Sequence, residues 1–189
     1  MKNHTGWVPP LARIPISLAP IARMQKKHFG EVLYPTRWWG RMPGLFWLVA
    51  LFVGWLERKK GRIDPTLRAL LMTRVSQQCC CAFCIDANSL RLAQRAGAMD
   101  KVEAVAEWAD SELFSPAERA ALAYADGVTA TPPKLDDALK VELQRHFGAE
   151  QICELTALIS FQNLSARFNA ALDIPSQGLC DARGRPHAR

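Results

Sequence analysis

No uncharged stretch of this sequence is long enough to cross a bilayer as a helix: the longest, Met42 to Leu56, is fifteen residues, and spanning takes roughly twenty. A secretory pattern is missing too, because Pro9, Pro10, Pro15 and Pro20 stand where an uninterrupted apolar core would be needed. A cytoplasmic protein is therefore expected. Acidic residues are in deficit, 18 against 24 basic ones, for a net charge of +6. The basic groups are scattered, however. Arg58, Lys59, Lys60 and Arg62 form one cluster and Lys26 with Lys27 a pair, without the aromatic interleaving that single-strand binders use. They are expected to be solvated surface, with no nucleic-acid partner. Low-complexity segments, firm internal repeats and strand alternation are all lacking.

What is present is enough apolar material, 49% of 189 residues with 22% charged, to fold as one domain. Helix signals recur. Asp64 followed by Pro65 reads as an N-cap and a first-turn proline, with Leu67, Leu70, Leu71 and Val75 on one face of a helix reaching about Gln78. A second helix begins near Cys80 or Cys81 and ends at Gly97, suited to the left-handed position past a helix end. A short one runs from Asp100 through Trp108. Ser115, Pro116 and Glu118 combine a capping box with a first-turn proline, opening a helix to about Val128. After Pro132 and Pro133, further helices run from Asp136 or Asp137 to Gly148 and from about Glu150 to Leu172. The fold class is all-α, a compact multi-helix bundle over residues 41–180, with a Pro-rich amino-terminal extension over 1–40 and a basic tail over 181–189. The extension is expected to wrap the bundle, with one short helix near Ile21 to Phe29. The segment Leu45 to Leu56 is apolar on every side and needs cover from the core or a second subunit first, or from a membrane second.

Six cysteines stand at 79, 80, 81, 84, 153 and 180, and four of them fall within six residues. Without export signals, a Cys-x-x-Cys is more often redox-active or metal-binding than structural. Cys81 and Cys84, three apart, share one helical face within disulfide reach. At a helix start, unsatisfied N–H groups and the positive dipole end favour the thiolate, which is the attacking species. Zinc fits poorly: Cys79, Cys80 and Cys81 would point about 100° apart around a helix, and no second pair exists, so neither metal nor other cofactor is expected. Cys153 and Cys79 read as small apolar core residues, and Cys180 as an exposed thiol near the tail. His146 reads as a cap on the last carbonyls of its helix.

The run Arg68-Ala69-Leu70-Leu71-Met72-Thr73-Arg74-Val75-Ser76-Gln77, then Cys81-Ala82-Phe83-Cys84-Ile85-Asp86-Ala87-Asn88 and Ala96-Gly97, resembles the carboxymuconolactone decarboxylase superfamily and within it the alkylhydroperoxidase D-like branch. The resemblance spans about residues 41 to 178 and implies an all-helical trimer or hexamer. It also implies a hydroperoxide substrate attacked by Cys84, with Cys81 resolving the sulfenic acid as a disulfide and a thiol or dithiol as reductant. The branch's glutamate twelve residues before the first cysteine and its histidine four after the second, a proton relay, are here Ala69 and Asn88. Neither moves a proton at neutral pH. Asn88, one turn past Cys84, is expected to orient the thiolate through a hydrogen bond. Asp86 is expected to face solvent near the helix start, while Gln162, Asn163 and Arg167 are candidates to approach from the last helix. The alternative is a non-redox small-molecule binder or lyase in which the cysteines are incidental.

Overall fold

Local capping chemistry sets where several helices begin. In the computed structural model, which describes residues 7–180, the Asp64 carboxylate accepts the backbone N–H of Thr66 and of Leu67 ahead of a helix over Pro65–Gln78. Ser115 and Glu118 close the reciprocal capping box of the helix Pro116–Thr129, and Asp136 caps Asp137–His146. Gly97 takes a φ of 73° past the helix Ala82–Ala96, a left-handed conformation that costs glycine little. The expected tail over 181–189 and the histidines at positions 4 and 187 lie outside the described residues.

In chain order the helices are α1 (Ala19–Phe29), α2 (Tyr34–Trp39), α3 (Pro43–Leu56), α4 (Pro65–Gln78), α5 (Ala82–Ala96), α6 (Asp100–Ala104), α7 (Pro116–Thr129), α8 (Asp137–His146) and α9 (Ala149–Ala171). Helix α4 is central, enclosed by α5, α7 and α9. Its Leu70, Leu71 and Val75 are buried with Leu92, Leu122 and Leu158 in the main core. A single helix over Asp100 to Trp108 is not what forms: Glu107 leaves helical geometry, and the chain continues from α6 as a 3-10 turn over Val105–Asp110.

The amino-terminal residues enter the bundle. Besides α1, they form α2, a short helix not anticipated, whose Trp38 and Trp39 are both buried. Trp38 donates its indole N–H to the Val8 carbonyl at 2.8 Å, satisfying the polar atom of an otherwise apolar ring. Trp38 then joins a second core with Phe83, Leu90, Ala166, Ile174 and Leu179 around Cys81 and Cys84. This places residues from both ends of the chain over the start of α5.

Helix α3 is covered on one side only. Val49, Val53 and Leu56 pack on the main core, and the Phe52 ring meets Phe161 edge-on at a centroid distance of 5.1 Å. Leu48 and Leu51 are 66% and 68% exposed, and Leu45 and Trp55 are also open. Among the described residues, no helix is long and apolar enough to cross a membrane.

Candidate functional site

The turn between α4 and α5 brings the cysteine cluster together. Cys79 ends α4, Cys80 takes a φ of 51°, and the Cys81 N–H returns to the Ser76 carbonyl at 3.1 Å. Cys81 is the N-cap of α5, its Sγ accepting the Cys84 N–H at 3.2 Å. The chain reverses within three residues, so Cys79, Cys80 and Cys81 do not share one helix. Cys81 and Cys84 are joined as a disulfide with a Cα–Cα distance of 5.2 Å. Both sulfurs are buried, the residues being 0% and 4% exposed.

The helix-start effect reaches the two sulfurs unequally. The backbone N–H of the first turn points to Cys81 Sγ. Cys84 Sγ instead receives a side-chain donor, the Asn169 Nδ2 of α9, at 3.3 Å. Asn169, 2% exposed, accepts the Trp39 indole N–H on its Oδ1 at 3.0 Å. Sequence reading passed over both residues. A signal was available for Asn169, which lies seven positions after the buried Gln162, with buried Ala166 between them. That is the spacing of one helical face, so two amides on an apolar stripe mark a polar requirement opposite. Nothing local marks Trp39.

Asn88 Nδ2 donates to Ser76 Oγ at 3.0 Å and to the Met72 carbonyl at 3.4 Å, while its Oδ1 accepts from Arg91. Gln162 Nε2 donates to the same Ser76 Oγ at 3.0 Å. Ser76, Asn88 and Gln162 thus form one buried network between α4, α5 and α9, and the amide on the Cys84 sulfur is that of Asn169. Ala69 is buried in the main core. Arg167 is exposed and turns to the Thr129 carbonyl and to Asn163. Its charge acts on Cys79, whose thiol donates to Asn163 Oδ1 at 3.6 Å. Burial pushes the Cys79 thiol up, and the Arg167 charge only partly offsets it, so Cys79 is held as a thiol.

Several expectations are corrected. Asp86 is buried: its carboxylate accepts the N–H groups of Gln177, Leu179 and Cys180 and the Ser176 hydroxyl, at 2.8 to 2.9 Å. Two positions along α5, about 200° around an ideal helix, turn it away from Cys84 and aim it at the carboxy-terminal segment. Cys180 is half-buried against the second core, and Cys153 is exposed rather than packed. His146 pairs with Glu142 one turn back, at 3.1 Å, instead of capping carbonyls. Cys80 is exposed. Among the described residues, no three His, Cys, Asp or Glu side chains converge as metal ligands would.

A helical bundle with a cysteine pair buried at the start of an inner helix defines the class of protein. Residues 43–127 match the model of the carboxymuconolactone decarboxylase family. The chain is 55% identical over 173 residues to the uncharacterized protein YnjA of Escherichia coli K12, covering 92% of this chain and 95% of that protein. Its fold matches debrominase Bmp8 in complex with 2,3,4-tribromopyrrole, with a TM-score of 0.80, 26% identity and coverage of 90% and 91% of the two chains. It also matches an alkylhydroperoxidase AhpD core, a peroxidase-related protein from Ralstonia eutropha JMP134, with a TM-score of 0.78, 22% identity and 95% coverage of both chains. The chain belongs to the carboxymuconolactone decarboxylase family and has the all-helical AhpD-like fold.

Proposed function

We propose that this protein is a thiol-dependent peroxidase or disulfide oxidoreductase, with Cys84 as the attacking sulfur and Cys81 as the resolving one. The observation that carries the reading is the bond between these two sulfurs at the start of α5. The Cys84 thiolate attacks the distal oxygen of a hydroperoxide; the O–O bond breaks, the alkoxide leaves and takes up a proton, and Cys84 becomes a sulfenic acid. The Cys81 thiol then displaces water to give the disulfide. An external dithiol restores both thiols by two exchanges, leaving as its own disulfide. A compartment rich in reductant supports this cycle, which favours the cytoplasm. Asn88 supports the site indirectly, through Ser76.

The resemblance to a debrominase favours a second substrate class for the same pair. The two thiols can also deliver two electrons to a carbon–bromine bond, giving a carbon–hydrogen bond, bromide, a proton and the same disulfide. An apolar surround of Trp38, Phe83, Leu90 and Ile174 suits an apolar substrate of either kind.

Reduced protein challenged with an alkyl hydroperoxide or a bromopyrrole is expected to lose two hydrogens, located by peptide mapping between Cys81 and Cys84, and to turn over with a dithiol. Alcohol or bromide release identifies the substrate class. Cys84→Ser should abolish turnover. If the parent protein forms no Cys81–Cys84 bond with either oxidant, the non-redox binder or lyase reading takes its place.

A further inference from the structure

The pair lacks the proton carriers that the family resemblance leads one to expect, with Ala69 and Asn88 in their positions. The groups that meet the Cys84 sulfur are therefore decisive. The disulfide Sγ stands here for the thiolate of the reduced state, which occupies the same side chain and is a stronger acceptor. Among the described residues its side-chain donor is Asn169 Nδ2, at 3.3 Å. The sense of an amide is decided by its partners, and here a partner decides it: the Trp39 indole is a donor only, so the atom it meets at 3.0 Å must be the amide oxygen. The nitrogen then faces sulfur. Trp39 is itself held, buried and stacked on Phe168 with ring centroids 3.8 Å apart.

We propose that Asn169 is a catalytic residue that holds the Cys84 sulfur as a thiolate and that Trp39, from the amino-terminal segment, is the positioning residue that keeps the amide donor turned toward it. The inference rests on Cys84 being the attacking sulfur, yet it concerns the thiolate alone and is testable without substrate. Of the titratable groups around this sulfur, Cys79, Tyr34 and Cys180 pack against the second core, with the Cys79 thiol donating to Asn163 Oδ1. Arg95 is paired with Glu57 and Glu154 with Arg58, and Arg68 and Arg37 meet backbone carbonyls. On α5, Asp86 is taken up by residues 176–180 and Arg91 by Glu57 and Asn88. On α9, Arg167 is taken by Thr129 and Asn163. On α4, Arg74 is paired with Asp126. Trp38, Ile174 and Leu179 close the remaining sides with apolar surface, which by itself disfavours a thiolate. An oriented amide in such a low-polarity setting acts strongly, because water does not compete for the sulfur.

The experiment reads the pH midpoint of Cys84 alkylation, resolved by peptide mass spectrometry, in a Cys81→Ser background. The midpoint is used rather than the rate, because altered access changes the rate at every pH alike. Asn169→Ala is expected to raise the midpoint by about one unit, a roughly tenfold smaller thiolate fraction at neutral pH. Asn169→Ser, which retains a donor, should recover part of the shift. Trp39→Phe keeps the stacked ring but frees the amide to present its oxygen, and should move the midpoint the same way by a smaller amount. A lower melting temperature in Asn169→Ala with an unmoved midpoint overturns the proposal, and an unmoved midpoint in Trp39→Phe overturns the part given to Trp39. If Asn169→Ala does not fold, Asn169→Ser and Trp39→Phe decide by the same reading. A shifted midpoint in a protein that consumes neither peroxide nor bromopyrrole leaves this inference standing and removes the proposed function instead.

Discussion

At the scale of single residues, what matters around the cysteine pair is which donor reaches which sulfur. Cys81 takes a backbone N–H because the N-cap position aims its side chain at the first turn, whereas Cys84, inside the helix, depends on an amide from α9. Asp86 shows how far one carboxylate can serve a purely structural end. It receives three backbone N–H groups and a hydroxyl from the carboxy-terminal segment, and Ile174 and Leu179 of that segment cover the pair. Asp86→Ala leaves buried donors without an acceptor and is expected to cost about 3 kcal/mol. Calorimetry checks the stability, and faster alkylation of Cys84 at all pH values checks that the cover has loosened. Neither feature was legible at positions 81 to 88: an acid two residues from a cysteine reads the same whether it meets solvent or a loop ninety residues away.

Among the elements, α3 is the one whose surroundings are incomplete. A helix with mean hydropathy this apolar leaves one row on the core and the opposite row, with Leu48 and Leu51, in solvent. Contiguous exposed apolar rows mark association surfaces when they are large. We expect the protein to be a homo-oligomer, a trimer or hexamer, with this row between copies. Leu48→Glu together with Leu51→Glu, both at exposed positions, should lower the mass measured by light scattering to that of a monomer while leaving helical content unchanged. If the oligomer persists, the row lies elsewhere than the interface. Helix identity was legible because its signals are local, as with Asp64-Pro65, Ser115-Pro116 and Gly97, each satisfied within one turn. Helix α2 escaped notice because six residues carry less than two turns of periodicity, and its burial of Trp38 and Trp39 comes from distant neighbours.

For the molecule as a whole, Glu57 at the end of α3 ties that helix to α5 through Arg91 and Arg95. Burial pushes its carboxyl up, but the hydrogen bond from Arg95 and the charges of Arg91 and Arg95 outweigh burial and leave it below its ordinary value. A carboxyl depressed in the folded state stabilises the fold above its unfolded value and loses that contribution as pH falls through the folded one. Chemical denaturation below about pH 5 should therefore show stability declining with acidity. Glu57→Gln should remove about 1 kcal/mol at neutral pH and flatten that decline, the size being modest because these side chains are partly open to solvent.

The amino-acid order by itself determined the longer helices, the caps at Asp64, Ser115 and Gly97 and the placing of two sulfurs one turn apart, because these depend on neighbours within four residues. Only the tertiary structure decided what surrounds the sulfurs. Asn169 lies 85 residues from Cys84, and Trp39 lies 130 from Asn169. No periodicity or cap encodes such a meeting; it exists because packing of α9 against α5 and of α2 against α9 leaves a buried amide whose hydrogen-bonding groups must be met by whatever lies beside it.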